Sequence, residues 1–231
     1  MGNTNKKTYQ EGDAMIKKNL SVGILFLFML SLFSFSTGFC TSAFAQDGDL
    51  PELDFSGKKM YTAYNIWYEA GKETALWCIN YKTGIIIPAG TEVTEIAYSD
   101  AVAGRKSGAE TVAISFVTVE DQQKYWVNIT EKFHPGKTIG DYAKLMFTDK
   151  NFDQLTAGMT ETEIEGIKEG VVKIGMSKEA VLVAYGYPPE HKTPSLDRDT
   201  WYYWMNRFRS KAINFDEDGK ACKKAKASDA L

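Results

Sequence analysis

Two histidines, three short carboxylate clusters and two cysteines are the residues that could carry a reaction in the exported part of this sequence. His134 stands in EKFHPGK and His191 in PPEHKTP. Both surroundings read as exposed loops. No Cys-x-x-Cys or His-x-x-x-His spacing accompanies them, so a zinc site is not expected. The carboxylates gather in TETEIE, DRD and DEDG. Paired carboxylates do acid–base work only in a cleft that pulls their pKa values apart. Here Glu161 and Glu163 stand where a helix would start, and Asp216 and Asp218 where the chain would turn. Asp197 and Asp199 flank Arg198 in a polar loop. DEDG is too short for a calcium-binding loop of the EF-hand kind. There is no Gly-x-Ser-x-Gly elbow and no phosphate-cradling glycine motif. The expectation is a protein without a catalytic centre, a metal or a cofactor.

Cys78 lies in ALWCINY, an expected buried strand, and Cys222 near the end of the chain. Cys78 reads as a small core residue, or as half of a bridge to Cys222 in an oxidising compartment. The aromatics say more. In a strand, neighbours point to opposite faces, so TWYYW puts Trp201 and Tyr203 on one face and Tyr202 and Trp204 on the other. Large aromatics left exposed mark binding surfaces. The sequon Asn128-Ile129-Thr130 reads as ordinary strand sequence.

The elements that must position these residues begin after an address label. Lys17 and Lys18 precede an almost wholly apolar run from Leu20 to Phe35, and Ala43-Phe44-Ala45 fits a signal-peptidase site that would leave Gln46 first. The run is about as long as a short membrane span, so an uncleaved anchor is the alternative. A signal starting at Met15 would have ordinary proportions. Cys40 follows Phe39, a poor lipid-acceptor context. Removing residues 1–45 leaves 186 residues and shifts the net charge from −3 to about −5. An acidic chain is a poor nucleic-acid binder. The basic cluster Lys220, Lys223, Lys224 and Lys226 reads as a solvated terminus.

From Met60 to Thr148 the sequence reads as β. MYTAYNIWYE, ETALWCINY and IIIPAGTEVTEIAYS are strand-like, and Pro88-Ala89-Gly90 is turn chemistry. AVAGRKSGAE is a polar loop. TVAISFVTVE alternates, with Val112, Ile114, Phe116 and Thr118 on one face. Five or six short strands predict a small barrel or sandwich. The run INYKTGIIIPAGTEVTEI resembles a bacterial SH3-like barrel.

From Asp153 the pattern becomes helical. Thr160 with Glu163 forms a capping box, followed by Ile164, Ile167 and Val171 at helical spacing. Ser177 caps a second helix carrying Val181, Ala184 and Tyr185. Gly186 is placed to end it in a left-handed conformation, and Pro188-Pro189 prevent a restart. RSKAINFDEDGKAC reads as a strand, an Asp-Gly turn and a return, with Lys211, Ile213 and Phe215 facing inward.

IGMSKEAVLVAYGYPPE, DTWYYW and AINFDEDGK together resemble the BamE-like, or SmpA/OmlA, domain. That resemblance implies two helices on a three-stranded antiparallel sheet, found in bacterial envelope proteins. It places Trp201 and Tyr203 under the helices and leaves Tyr202 and Trp204 on the open face. Those two are the partner-binding candidates. The alternative is that this face packs on the β half, which offers Trp67, Tyr68, Tyr125 and Trp126.

The sequence therefore predicts an α+β protein: a signal over 1–45, a linker over 46–59, an SH3-like β domain over 60–150, a BamE-like domain over 151–222 and a basic tail over 223–231. The expected function is non-enzymatic. It is a protein-binding or assembly role in the periplasm or at the periplasmic face of the outer membrane, with membrane association only through the partner or an uncleaved signal. Cell-wall or envelope-polymer binding led by the SH3-like half is the alternative.

Overall fold

The structure, a computed structural model, describes Phe55 and residues 57–100 and 112–223. The expected signal, its cleavage site, Cys40, the loop AVAGRKSGAE and the end of the basic tail lie outside the described residues. All the described residues belong to one compact unit.

The chain is α+β. Its first strands are β1 (Met60–Thr62), β2 (Ile66–Tyr68), β3 (Leu76–Trp77), β4 (Ile85–Ile87), β5 (Glu92–Asp100), β6 (Val112–Thr118) and β7 (Lys124–Ile129). Helix α1 (Ile139–Met146) and β8 (Phe147–Thr148) complete this half. Six strands form a mixed sheet in the order β3-β7-β6-β5-β1-β8, while β2 and β4 pair separately. The β3–β7 pair is parallel and the others antiparallel. A bulge in β5, where Glu95 takes a positive φ of 50°, adds twist and helps the sheet curl into a half-barrel. Ile114 and Phe116 of β6 are wholly buried, as their alternation predicts, but Ala113, Ser115 and Val117 are buried too. Asn128 is buried in β7, donating to the Leu76 carbonyl at 3.0 Å.

Helix α1 is a correction, because the whole segment to Thr148 reads as β by composition. Thr138 and Asp141 cap each other reciprocally, and Ile139, Tyr142, Ala143 and Met146 bury one stripe. That stripe packs into the core formed by Ile114, Phe116, Tyr125 and Phe147. Asp in place of Glu in the box, and the surrounding strands, mask a helix only eight residues long.

The second half holds α2 (Phe152–Leu155), α3 (Glu161–Glu169), α4 (Lys178–Tyr185), β9 (Thr200–Asn206), β10 (Arg209–Phe215) and β11 (Ala221–Cys222). The three strands form an antiparallel sheet in the order β11-β10-β9. Thr160 and Glu163 make the predicted capping box, and Ser177 caps α4. Val171 is a second correction: α3 ends at Gly170, which leaves Val171 past the helix and 39% exposed. Trp201, Tyr203, Ile213 and Phe215 point at the helices and meet Ile167, Val181, Ala184 and Tyr185 in a second core. Lys211 shares their face but stays exposed beyond them.

The two halves share this second core. Trp67 and Ala89, from the β-rich half, belong to it. Trp67 stands edge-on to Tyr185 with centroids 5.7 Å apart. Asn65 donates to the Ile167 carbonyl at 2.7 Å and accepts from the Ala89 amide at 2.8 Å. Asn80, held at a positive φ of 49°, accepts from the Trp67 amide at 2.9 Å and donates to the Asn65 and Tyr185 carbonyls. These buried amides satisfy backbone groups that the junction would otherwise strand away from water. Gly186 ends α4 with φ 76° and ψ −173°, an extended mirror-image conformation rather than the expected left-handed turn. A Cβ there would sit 2.7 Å from the Tyr64 ring. The glycine is needed as much for this close approach as for its backbone.

Candidate binding site on the second sheet

Alternation along β9 holds as predicted. Trp201 and Tyr203 are each 1% exposed, whereas Tyr202 is 40% exposed and Trp204 half-buried. Tyr203 donates its hydroxyl to the Gly186 carbonyl at 2.9 Å, and Trp201 stands edge-on to Phe215. On the other face, the His191 ring stacks nearly parallel to Trp204, with centroids 6.3 Å apart. The indole N–H of Trp204 finds no acceptor among the described residues. The edge of β9 is capped by side chains and loops. The Tyr202 amide donates to the Thr193 hydroxyl, and the Trp204 carbonyl accepts from the Lys82 amide. Strand addition at this edge is therefore blocked, and the side-chain face is what remains.

Of the aromatics considered as a cover for this face, two are committed elsewhere. Trp67 packs into the second core on the helix side. Tyr125 stacks on Phe116 in the first.

β9 and β10 meet in a hairpin whose tip carries Phe208, 80% exposed, with the Arg207 guanidinium 4.5 Å from its ring. Between this tip and the β-rich half lies a cleft of about 570 Å³. Trp67, Tyr68, Trp77 and Tyr81 line its inner wall, and Asn206, Arg207 and Phe208 its outer one. Glu69 is the sole carboxylate among its lining residues, ion-paired with Lys72. Sequence reasoning missed the cleft because its walls are far apart in the chain. The absence of any Asp or Glu from Thr200 to Asn214 was the available signal.

Behind Trp67 sits a lysine in an unusual setting. Lys82 is 9% exposed, with Nζ 4.4 Å from the Trp67 ring centroid and 5.5 Å from those of Tyr185 and Tyr203. Its amine donates to the Asn80 carbonyl at 2.7 Å. Burial pushes it well below the lysine range. The ring faces act in the opposite direction, since each attracts a cation.

The histidines need correction. His134 is not an exposed loop residue but 2% exposed, with its ring 4.8 Å from that of Tyr142. Neither ring nitrogen has a hydrogen-bond partner among the described residues. Burial pushes the imidazole down to about 4, against the pull of Glu190. The adjacent Cys78 carbonyl is taken by the Tyr142 hydroxyl at 2.6 Å. Tyr142 and Tyr64 hydroxyls also touch at 3.4 Å. His191 is exposed, as expected, and its loop meets that of His134 through Phe133 and a Lys137–Glu190 ion pair. Burial pushes the Cys78 thiol up to about 12. A neutral thiol near a neutral imidazole is the reverse of the thiolate–imidazolium pair that nucleophilic catalysis uses. Cys78 and Cys222 are both free thiols.

The carboxylates serve structure. Glu163 accepts from the Thr160 amide at 2.9 Å and from the Ser177 amide at 2.7 Å. Burial alone would raise its carboxyl, but the hydrogen bonds from Ser177 and Thr160 outweigh it and hold the group at about 2. Asp216 Oδ1 accepts from the Asp218 and Lys220 amides and closes the turn before β11. Among the described residues no cluster of three His, Cys, Asp or Glu side chains could hold a metal. Comparison of the chain with protein-family models, curated proteins and solved structures returns no match.

Proposed function

We propose that this is an exported, non-enzymatic protein of the cell envelope that binds a protein partner through the β9–β10 hairpin. It works in the periplasm or at the periplasmic face of the outer membrane. In this reading the second half is a BamE-like unit, with α3 and α4 preceding and covering a three-stranded antiparallel sheet. The β-rich half is an SH3-like unit, elaborated by α1 and the parallel β3–β7 pair. No cofactor is required.

The observation that carries the reading is the pair of aromatics on the outer side of the hairpin, with a third ring at its tip. Tyr202 is 40% exposed, Trp204 lies beside it under His191, and Phe208 is 80% exposed at the tip. Tyr, Trp and Phe left at a surface are the residues that dominate interface energies. A paired change, Tyr202→Ala with Trp204→Ala, tests it. The variant is expected to keep its far-ultraviolet circular dichroism and to lose at least about tenfold in affinity for the partner captured from envelope extracts. Undiminished capture by the folded variant contradicts the reading.

A second reading is favoured by the rings of the cleft, which could stack on the faces of sugars. It makes the protein a cell-wall binder led by the SH3-like half. Co-sedimentation of the whole exported chain with peptidoglycan separates the two. The whole chain is needed because Trp67 and Ala89 belong to the core of the other half.

A further inference from the structure

The hairpin is charged against the grain of the molecule. The chain carries a net charge of −3, yet Thr200 to Asn214 contains no carboxylate and three cations, Arg207, Arg209 and Lys211. None of the three has a carboxylate partner among the described residues, where the ion pairs all lie elsewhere. Two of them rest on aromatic rings instead. Arg207 lies over Phe208, and the Lys211 ammonium is 5.9 Å from the Tyr185 ring. Beside these cations the cleft offers Glu69 as its one carboxylate, already held by Lys72.

We propose that the cleft and the inner side of the hairpin tip seat an acidic, aromatic-bearing, extended segment of the protein partner. The proposal rests on the protein-binding reading above and names the chemistry of the partner. Cations without counter-ions lower their energy by meeting carboxylates, and each such surface contact adds modestly to affinity and more to selectivity. The pairing register skips Met205, so the irregularity lies on β9, and β10 runs regularly from Arg209 to Phe215. Arg209 and Lys211 therefore share a face, about 7 Å apart. That is also the spacing of alternate side chains in an extended peptide, so carboxylates two residues apart would meet both. Rings between those carboxylates would enter the cleft against Trp77, Tyr81 and Phe208. A flat anionic lipid surface would meet the tip but leave the cleft unused.

The test titrates the chain from Gln46 onward, following its tryptophan fluorescence. The probes are a short synthetic peptide alternating Glu with Phe, the same peptide with Gln for Glu, vesicles of anionic phospholipid, and an oligogalacturonate. The Glu peptide should bind, weaken as salt rises, and bind at least about tenfold more tightly than the Gln peptide. The triple change Arg207→Gln, Arg209→Gln and Lys211→Gln should abolish that preference without shifting the thermal midpoint. These side chains are exposed, so folding is not at stake. Equal binding of the two peptides, binding of neither, or binding of only vesicles or oligogalacturonate overturns the proposal. If the envelope partner is still captured by the triple variant at all salt concentrations, the protein-binding reading stands and this proposal alone falls. If the Glu peptide binds as described but no partner depends on Tyr202 and Trp204, the outer aromatic face falls as the contact and the cleft remains the protein-binding surface.

Discussion

His134 loses its hydration on folding and gains no hydrogen bond among the described residues in return. Its imidazole is held to about 4 against an ordinary 6.5. The unfolded chain therefore binds a proton that the folded chain refuses. Stability from this group is complete above pH 6.5, falls as the pH drops towards about 4, and falls no further below that. The loss is on the order of 3 kcal/mol. Glu190, Lys137, His191, Tyr142 and Cys78 face or surround the ring; Glu190 and the Cys78 backbone oppose the shift, and the Lys137 and His191 charges add to it. Urea midpoints measured across this range should slope for the native chain and flatten for His134→Phe. A slope unchanged by the substitution would assign the effect to another group. EKFHPGK looks exposed because its own residues are polar and turn-forming. Its burial comes from Tyr142 and from the loop around Glu190, neither of which is local. In TWYYW the reverse holds. Alternation is a property of the strand itself, and so the buried and exposed members were legible from five letters.

At the scale of elements, Glu163 joins three pieces that sequence reasoning treated separately. It closes the cap of α3 through Thr160, receives the amide of Ser177 at the start of α4, and lies 3.6 Å from the Lys220 ammonium before β11. Its carboxyl is held at about 2 rather than 4.5. The stability it supplies is present above pH 4.5 and is lost as the pH falls towards 2, a window that starts where that of His134 is ending. Glu163→Gln should cost about 2 kcal/mol at neutral pH, against about 1 kcal/mol for Ser177→Ala, which loses one ordinary cap. Denaturant unfolding at neutral pH checks the order of the two. The caps were readable because a hydroxyl three residues before a Glu has few other uses. The link from Glu163 to Ser177 was not, since it needs the turn between the helices. The same turn also seats Met176 against α3. Met176 is wholly buried, and its sulfur fills the space where a Cβ on Gly166 would stand, 2.7 Å away.

At the scale of the whole molecule, the change from β to helical sequence near residue 150 is real, but the cores do not part there. Trp67 sits among α4 and β9 residues, and the Asn65 and Asn80 amides bridge both halves. The α+β class and the second sheet with its helices could be read from periodicity and caps. The junction could not, because Asn and Trp in a strand-rich run carry no mark of what they will face. Trp67→Ala should cost about 3–5 kcal/mol and lower the unfolding midpoint of both halves together. Calorimetry of this variant should show one displaced transition, where independent halves would show one displaced and one unmoved.

The central claim is that the hairpin meets a protein. A photoreactive benzoylphenylalanine placed at Tyr202, or at Phe208, tests it most directly, with the same group at Lys168 on α3 as the control. After irradiation in intact envelopes, positions 202 and 208 should give the same discrete protein adduct, and position 168 should give none. Adducts of equal yield from all three positions, or none from 202 and 208 in a chain that is folded and exported, would contradict the account.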